Sequence, residues 1–326
     1  MNLIVEREKG LLELEKRIDE LREVNAQQPV DMSAEIRALE AKYAQIQQEI
    51  FGSMTPWEKV HMARHPNRPT AADYLSQFEQ FDELHGDRHA RDDQAIVAGL
   101  GKLGGRAVMA IGEQRGRDTK ENLRRNFGMP SPEGYRKVQR LARLAGRIGV
   151  PIVTFVDTKG ADPGIASEER AQSEAIAACL YEFTVAPVPI VATVIGEGGS
   201  GGALALSIAD RILMLEHSYY SVASPEGCAA ILWSDATKAD EAASHLKLTA
   251  QDLQSFGIVD EIVNEPVGGA HRDAAGTIAR VLKAVESALA ELSPLSSDRL
   301  REARYLKYRR IGAWEIERRE AVKTGA

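Results

Sequence analysis

The chain has 326 residues and a mass of 35.7 kDa, enough for one large domain or two ordinary ones. Its 44% apolar and 27% charged residues supply a sizeable core and exclude a wholly disordered chain. The net charge of −7, from 41 basic and 48 acidic residues, argues against a protein that coats nucleic acid.

Cysteine content and the N-terminus restrict the setting of the protein. Cys179 and Cys228 are too few for a disulfide framework or a four-thiolate zinc site. The N-terminal stretch lacks the apolar core of a signal peptide, and no apolar run reaches the ~18 residues needed to span a bilayer. The sequence therefore predicts a soluble, cytoplasmic protein with no metal site of its own.

Two amphipathic helices are predicted in the first fifty residues. Apolar residues recur at helical spacing from Leu11 to Leu21 and from Ile36 to Ile50, with a break at Gln28-Pro29. This pattern predicts an antiparallel helical hairpin, and we assign residues 1–90 to a helical N-terminal extension. It leaves open whether the hairpin only packs on the core or also docks a partner subunit.

Short β-branched or apolar runs alternate with helical stretches from residue 91 to 273. The runs 152–156 and 190–195 predict buried strands, while 134–148, 168–182 and 201–209 predict helices. This alternation predicts an α/β domain with a largely parallel sheet and an active site at the C-terminal ends of its strands. Residues 274–326 are predicted to be a C-terminal helical segment.

Two motif matches have better structural explanations. GLGKLG at residues 99–104 fits the dinucleotide pattern G-x-G-x-x-G, but a second predicted strand follows at once, so a β-hairpin turn explains it better. His61 and His65 have the spacing of a zincin, but Met62 stands where a zincin has its Glu. We therefore expect these histidines to serve packing or to lie in solvated loops.

A basic segment precedes the predicted strand at 152–156. Residues 115–147 hold ten basic residues and only three acidic ones, Asp118, Glu121 and Glu133. Such a segment can be a solvated helix face, and it also fits a landing surface for the phosphates of a nucleotide-like ligand. The sequence leaves both interpretations open.

The segment GEGGSGG at residues 196–202 runs from a predicted strand directly into a predicted helix. Its glycines let the backbone approach a ligand, and the first N–H groups of a helix have no internal partner, so the turn can stabilise negative charge. A tight turn without chemistry would need fewer glycines. Two chemistries remain: Ser200 as the nucleophile of a hydrolase elbow, or the backbone amides as an oxyanion hole.

A serine hydrolase would also need a later histidine and an orienting acid. No pattern singles out any of the candidates, which are His217, His245, His271, Asp235, Asp252 and Asp260. Two further turn-rich loops, DTKGADPG at 157–164 and SPEG at 224–227, also follow apolar runs. Three such loops favour a pocket built from backbone over a side-chain triad.

Seven strings resemble, in the same order, the α-subunit family of the bacterial acetyl-coenzyme A carboxylase carboxyltransferase. They are ARHPNRPTAADY (63–74), FDELHGDR (81–88), NFGMPSPEGYRK (126–137), SEERAQSEAIA (167–177), VIGEGGSGGALAL (194–206), SVASPEGCAAILW (221–233) and PVGGAHRD (266–273). The resemblance implies an α/β crotonase-like (ClpP/crotonase) fold, a spiral of ββα units at 91–273, between the helical hairpin extension and the C-terminal helices.

The resemblance also implies a reaction and its partners. A carboxyl group would pass from carboxybiotin, held on a biotin carboxyl carrier protein, to acetyl-CoA, giving malonyl-CoA for fatty-acid synthesis. The chain would act only with a zinc-bearing β subunit, in an α2β2 tetramer, with biotin carboxylase in the wider complex. Neither a membrane nor a nucleic acid is an expected partner.

For the site, the resemblance places an oxyanion hole for the ureido oxygen of biotin at the N–H groups of Gly201 and Gly202. A second hole, for the thioester enolate, would belong to the β subunit. The other positions expected to bind biotin or substrate are Gly198, Gly199, Gly160, Ala161 and Gly164.

The chain departs from the family at Lys159 and Asp162, where the family has Pro and Tyr. Losing the proline loosens the loop, and losing the aromatic ring changes how an apolar group is held. An exposed Lys159–Asp162 ion pair would compensate by only about 0–1 kcal/mol. We therefore expect altered substrate handling or a pathway-dedicated paralogue, with a non-catalytic scaffold as a further alternative. Glu113-Gln114 also departs, since the family often has His before the Gln.

Overall fold

The strands of the chain form one mixed sheet in the computed structural model, which describes residues 2–27 and 31–312. They span Gln80–Glu83 (β1), Ile96–Leu103 (β2), Arg106–Glu113 (β3), Ile152–Thr158 (β4), Ile190–Gly199 (β5), Arg211–Leu215 (β6), Tyr219–Ser221 (β7) and Glu261–Val263 (β8). The order is β1-β2-β3-β4-β5-β6-β8, and β7 pairs with β5. The first three strands are antiparallel neighbours, and every pairing from β3 onward is parallel.

Helices cover both faces of this sheet. The α-helices span Leu3–Gln27 (α1), Ser33–Phe51 (α2), Pro56–Ala63 (α3), Ala71–Leu75 (α4), Thr119–Arg124 (α5), Pro132–Ile148 (α6), Ile165–Glu168 (α7), Gln172–Val185 (α8), Ser200–Ser207 (α9), Pro225–Trp233 (α10), Ala239–Leu246 (α11), Ala250–Ser255 (α12), Ala274–Leu292 (α13) and Ser297–Arg309 (α14). Short 3-10 turns lie at Asn126–Gly128 and Ala236–Lys238. Within the described residues, no helix is both long and apolar enough to cross a membrane.

Both faces of the central strands are buried, which explains the nearly continuous apolar runs of β4 and β5. On one face α6, α8 and α9 contribute Tyr135, Phe183 and Leu206 to the core. On the other face α4 and α13 contribute Tyr74 and Val281. The predicted α/β domain with a largely parallel sheet is therefore confirmed.

The predicted strands and helices are found, with changes at their ends. The hairpin at GLGKLG is confirmed, because β2 and β3 pair antiparallel with Leu103 opposite Arg106. The helix predicted at 168–182 is divided into α7 and α8. Ala171, with φ of +61°, interrupts the helical path between them.

The N-terminal hairpin is also confirmed, since α1 and α2 pack through Ile18, Leu21 and Ile36. Its predicted break at Gln28-Pro29 lies outside the described residues, as do residues 313–326 of the C-terminal segment. The strand β1 lies inside the predicted extension and yet joins the sheet through β2. The domain boundaries at residues 90 and 273 stay a prediction.

The strand β5 changes its neighbour along its length, and this change positions the glycine-rich turn. Val194 pairs with Met214 of β6, whereas Glu197 pairs with Tyr219 of β7. On the β4 side the register shifts after Val156. The glycine-rich end of β5 therefore lies between the end of β4 and β7.

Candidate active site

The turn from β5 into α9 leaves backbone donors free. Gly201 and Gly202 are the second and third residues of α9, where a helix offers no acceptor to the N–H group. The N-cap is Gly199, which has no side chain to accept from them. Ser200 has φ of +56°, a left-handed conformation that turns the chain sharply into the helix. The turn therefore presents amides and the positive end of a helix dipole.

The loop after β4 packs directly on this turn. A Cβ atom on Gly202 would lie 2.5 Å from the nitrogen of Ala161, and one on Gly199 would collide with the carbonyl oxygen of Lys159. Gly160 has φ of +147° and lies against Ser200. The N–H of Ala161 donates to no acceptor within the described chain. The structure thus brings together four predicted site residues on two loops, with free amides on both.

A largely apolar pocket of about 420 Å³ opens beside this turn. Gly201, half-buried, and Ser200, exposed, form one wall of the pocket. The other lining residues are Leu204, Tyr220, Ser221, Val222, Leu246, Lys247, Leu253, Phe256 and Ile258. A small ring with one polar edge fits such a combination of apolar wall and free amides.

Two of the predicted positions have other neighbours. Gly198 packs against Tyr220, because β7 lies beside it. Gly164 is the N-cap of α7, and its N–H donates to Oδ1 of Asp162 at 3.1 Å. The amide of Gly164 is therefore engaged within its own loop.

A buried polar network that the sequence did not predict supports the end of β5. The Glu197 carboxylate accepts from Nε of Arg64 at 2.7 Å and from the hydroxyl of Tyr219 at 2.8 Å. Arg64 also donates to Glu226, in the first turn of α10, at 2.5 Å. Burial opposes the charge of Arg64, but the two carboxylates raise its pKa above the ordinary value. Arg64 thereby joins β5, β7 and α10 at the end of β5.

A second arginine, fully buried, fixes the same strand. Arg68 donates from Nε to the carbonyl oxygen of Ile195 at 2.6 Å and forms an ion pair with Glu265 at 2.5 Å. Neither side chain of that pair is exposed to solvent. Both arginines lie in the string ARHPNRP, which was the signal available in the sequence.

Carboxyl groups also pack under the turn. Oδ1 of Asp157 accepts from the N–H of Glu197 at 2.9 Å, and Oε2 of Glu113 accepts from the N–H of Asp157 at 3.2 Å. Burial, together with the charge of Asp157, raises the pKa of Glu113 well above its ordinary value. Glu113, which stands where the family often has His, is thus a buried acid in direct contact with Asp157.

The Lys159–Asp162 ion pair that was considered as a compensation does not form within the described chain. Asp162 instead accepts from the hydroxyl of Ser167 at 2.5 Å and from the N–H of Gly164. Burial opposes the ionisation of Asp162, but these hydrogen bonds lower its pKa. Lys159 is exposed and makes no ion pair within the part of the chain that the structure describes. These local donors, two and five residues further along the chain, satisfy Asp162 without the lysine.

Comparison with known proteins identifies the family. Residues 4–312 match the family model described as acetyl co-enzyme A carboxylase carboxyltransferase-like. An acetyl-coenzyme A carboxylase carboxyl transferase subunit alpha from Geobacillus sp. is 53% identical over 96% of this chain and 97% of its own. A subunit alpha from Burkholderia mallei is 52% identical over 94% of this chain and 96% of its own length. The chain belongs to this family.

Solved structures show the fold at lower identity. A transcarboxylase 12S aligns with a TM-score of 0.57 and 18% identity over 71% of this chain and 42% of that chain. A chain of a Pseudomonas malonate decarboxylase hetero-tetramer aligns with a TM-score of 0.55 and 16% identity. The alignment covers 65% of this chain and 85% of that chain. The crotonase-like fold is confirmed, and the chain is a carboxyltransferase subunit.

The serine hydrolase alternative is wrong. The described residues that line the pocket beside Ser200 include neither a histidine nor an acid. The predicted partners serve elsewhere: His271 contacts Glu8, Lys307 donates to Asp260, and Asp235 and Asp252 cap helices. Ser200 therefore lacks the base that a hydrolase would need.

One group in the described chain has ligand types suited to a metal ion, namely Glu8, His65 and His271. The Glu8 carboxylate contacts Nε2 of His65 at 3.1 Å and Nε2 of His271 at 2.8 Å, and the two rings stack with centroids 3.6 Å apart. The N–H of Asn67 donates to Nδ1 of His65, so the proton of neutral His65 is on Nε2. Nε2 therefore donates to Glu8 and has no lone pair for a metal. The group is a hydrogen-bonded clasp between α1 and the core.

Replacing Glu8 with Gln should lower the free energy of unfolding at pH 7 by about 1–3 kcal/mol, because an amide cannot accept from both rings equally well. Burial opposes the ionisation of Glu8, but hydrogen bonds from His271 and His65 lower its pKa to about 2. Since the folded-state pKa is lowered, this stability is present above about pH 4.5 and is lost as the pH falls toward 2. Urea unfolding of both proteins across that range measures the effect.

The control for this prediction is Glu6→Gln on the same helix. Within the part of the chain that the structure describes, Glu6 pairs with Lys9 alone, at the surface, so its loss should change stability by less than about 0.5 kcal/mol. A Glu8→Gln protein whose deficit equals that of the control, or does not shrink below pH 4.5, would contradict the clasp.

Proposed function

We propose that this chain binds carboxybiotin at the β5–α9 turn and, with a separate β subunit, carboxylates acetyl-CoA to malonyl-CoA. The observation that carries this proposal is the pair of free amide groups, on the Ala161 and Gly201 loops, beside an apolar pocket. The fused ring system of biotin has an apolar body and one polar ureido edge. That shape matches the pocket and its amide wall.

The backbone, rather than a side chain, provides the chemistry. When bound, carboxybiotin supplies the carboxyl group, and negative charge develops on its ureido oxygen as that group leaves. The N–H groups of Gly201 and Gly202 donate toward this charge, and each such donor in an oxyanion hole is worth about 10²–10³ in rate. Gly198 and Gly199 let the backbone approach, while Gly160 and Ala161 form the facing loop. Gly164 holds the shape of that loop through Asp162.

The partner subunit covers the mouth of the pocket in this proposal. Val222 and Phe256 line the pocket and are 80% and 53% exposed, and Ile231 and Leu232 on α10 are 79% and 64% exposed. Large apolar side chains clustered on a surface mark an interaction site. We infer that the β subunit, carrying the zinc and the enolate-binding hole, docks here in an α2β2 tetramer.

The wider complex would include the biotin carboxyl carrier protein and biotin carboxylase, and its proposed setting is the cytoplasm. The apolar surface around the pocket supports a partner but does not identify it. Co-purification of the chain with the native β subunit, followed by zinc analysis of each subunit, tests this assembly.

The proposed reaction is tested by malonyl-CoA formation from acetyl-CoA and carboxybiotin, with the assembled complex. Ser200→Ala should retain most of the activity, because the proposal uses backbone amides and not the Ser200 hydroxyl. A correctly assembled complex without carboxyl transfer would refute the function. Loss of all activity in Ser200→Ala would refute the backbone mechanism.

A further inference from the structure

The helix α6 presents a face of arginines whose cavities share no lining residue with the pocket of the proposed active site. Arg136, Arg140, Arg143 and Arg147 follow one another at spacings of four, three and four, so they lie on one side of the helix. Arg88, exposed in the loop before β2, lies beside Arg140 and adds a fifth guanidinium. We call these five residues the arginine groove. They include most of the basic side chains of α6. These α6 side chains belong to the basic segment at residues 115–147, for which the sequence left open a solvated face or a surface that binds phosphates.

Two cavities flank the groove, and both are lined by Arg140 and Arg143. The first has about 460 Å³ and is lined also by Arg88, Arg136 and Gln139. The second has about 530 Å³ and a largely apolar floor, made of Ala142, Gly146, Val185, Ala186 and Pro187. A basic cavity therefore adjoins an apolar one, at the size that small-molecule sites usually have.

The positive charge of the groove is only partly neutralised. Most described arginines form an ion pair, but within the described chain Arg88, Arg136, Arg140 and Arg147 form none. Arg136 donates to the carbonyl oxygen of Arg170 at 2.7 Å, and Arg140 donates to that of Gly86 at 3.2 Å. Carbonyl groups orient a guanidinium without cancelling its charge.

The acids nearby offset this charge only in part: Asp87 and Asp92 attract Arg140, but neither forms an ion pair with it within the described chain. Oδ1 of Asp87 accepts from three backbone N–H groups, and among the described residues Glu182 pairs with Arg143 alone. Burial and the positive charge of Arg88 lower the pKa of Arg140, as expected where like charges face each other. Glu174, at the rim of the first cavity, is the remaining acid among its described lining residues.

We propose that the arginine groove binds the diphosphate of a nucleotide, with the phosphates on Arg88, Arg136 and Arg140 and the base on the apolar floor of the second cavity. Guanidinium groups bind phosphate oxygens in pairs, which favours arginine over lysine for this task. Two molecules carry this chemistry: a free nucleoside diphosphate, and the nucleotide end of coenzyme A. The proposal does not depend on the assignment of the biotin site.

The test is calorimetric titration of ADP into the assembled complex. We expect saturable binding that weakens about tenfold or more in Arg88→Gln and in the double variant Arg136→Gln/Arg140→Gln, because each loses charge-assisted hydrogen bonds to phosphate. The side chain of Arg88 is exposed and makes no hydrogen bond to a described residue, so its loss should not disturb the fold. Arg299→Gln on α14, where the arginine is exposed and likewise without a described ion pair, should bind ADP as the parent does.

Two further titrations separate the sources. If coenzyme A displaces ADP, and if Arg88→Gln raises the KM for acetyl-CoA, the groove binds the nucleotide of coenzyme A. ADP binding that coenzyme A does not displace assigns it to a free nucleotide. AMP, with one phosphate fewer, should bind about tenfold more weakly in either case. Absence of saturable ADP binding at millimolar concentration, or equal affinities in the parent and Arg88→Gln, would overturn the proposal.

Discussion

Gly202→Ala should lower the rate of carboxyl transfer per folded complex by about 10²-fold or more. The added Cβ would lie 2.5 Å from the nitrogen of Ala161 and 2.6 Å from the carbonyl carbon of Gly160, and both are backbone atoms that cannot rotate away. The two loops that carry the proposed amide donors must therefore move apart. Displacements of about 1 Å in a reacting site commonly cost about 10²-fold in rate. Malonyl-CoA formation at saturating substrates measures the effect.

The matched control is Gly201→Ala, one residue earlier. There the added Cβ would lie 3.7 Å from Ile176, which is an ordinary packing distance, and the N–H of residue 201 is kept. We expect this variant to retain carboxyl transfer within a few-fold. Thermal unfolding of both variants separates loss of activity from loss of fold. Equal rates in the two variants would show that the contact between the loops does not position the donors.

The sequence predicted those parts of the fold that depend on local pattern and two-sided burial. The runs that form β4 and β5 are apolar on both sides because helices cover both faces of the sheet, so their assignment needed no partner information. The glycine-rich turn was predictable for a similar reason. Five glycines in seven residues allow a close approach of backbone, and the structure shows that Gly199 and Gly202 are used for this against the loop after β4.

What the sequence could not predict depends on contacts between distant residues. Arg64 and Glu197 are 133 positions apart, and Arg68 and Glu265 are 197 apart, so no spacing rule connects them. The Lys159–Asp162 pair, which was considered from the sequence and does not form, shows the opposite limit. Its charges are close in sequence, but no sequence pattern indicates that a nearby backbone N–H and a hydroxyl group would satisfy Asp162 first.

Arg68→Met should lower the free energy of unfolding by about 3–5 kcal/mol at pH 7, because it leaves the Glu265 carboxylate buried without its partner. In the parent protein, burial opposes the ionisation of Glu265, but Arg68 lowers its pKa to about 2. The contribution of this pair is therefore present above about pH 4.5 and is lost as the pH falls toward 2. In the variant, Glu265 binds a proton on folding, so the stability deficit should shrink as the medium becomes acidic.

The comparison that isolates burial is Arg22→Met, which breaks an ion pair with Glu40 at the surface of the N-terminal hairpin. An exposed pair is worth only about 0–1 kcal/mol, so this variant should unfold nearly as the parent does at every pH. Arg68 also holds the carbonyl oxygen of Ile195, next to the glycine-rich turn, so Arg68→Met should lose carboxyl transfer as well as stability. If Arg68→Met lost no more unfolding free energy than Arg22→Met does, the buried Arg68–Glu265 pair would not be what anchors the end of β5.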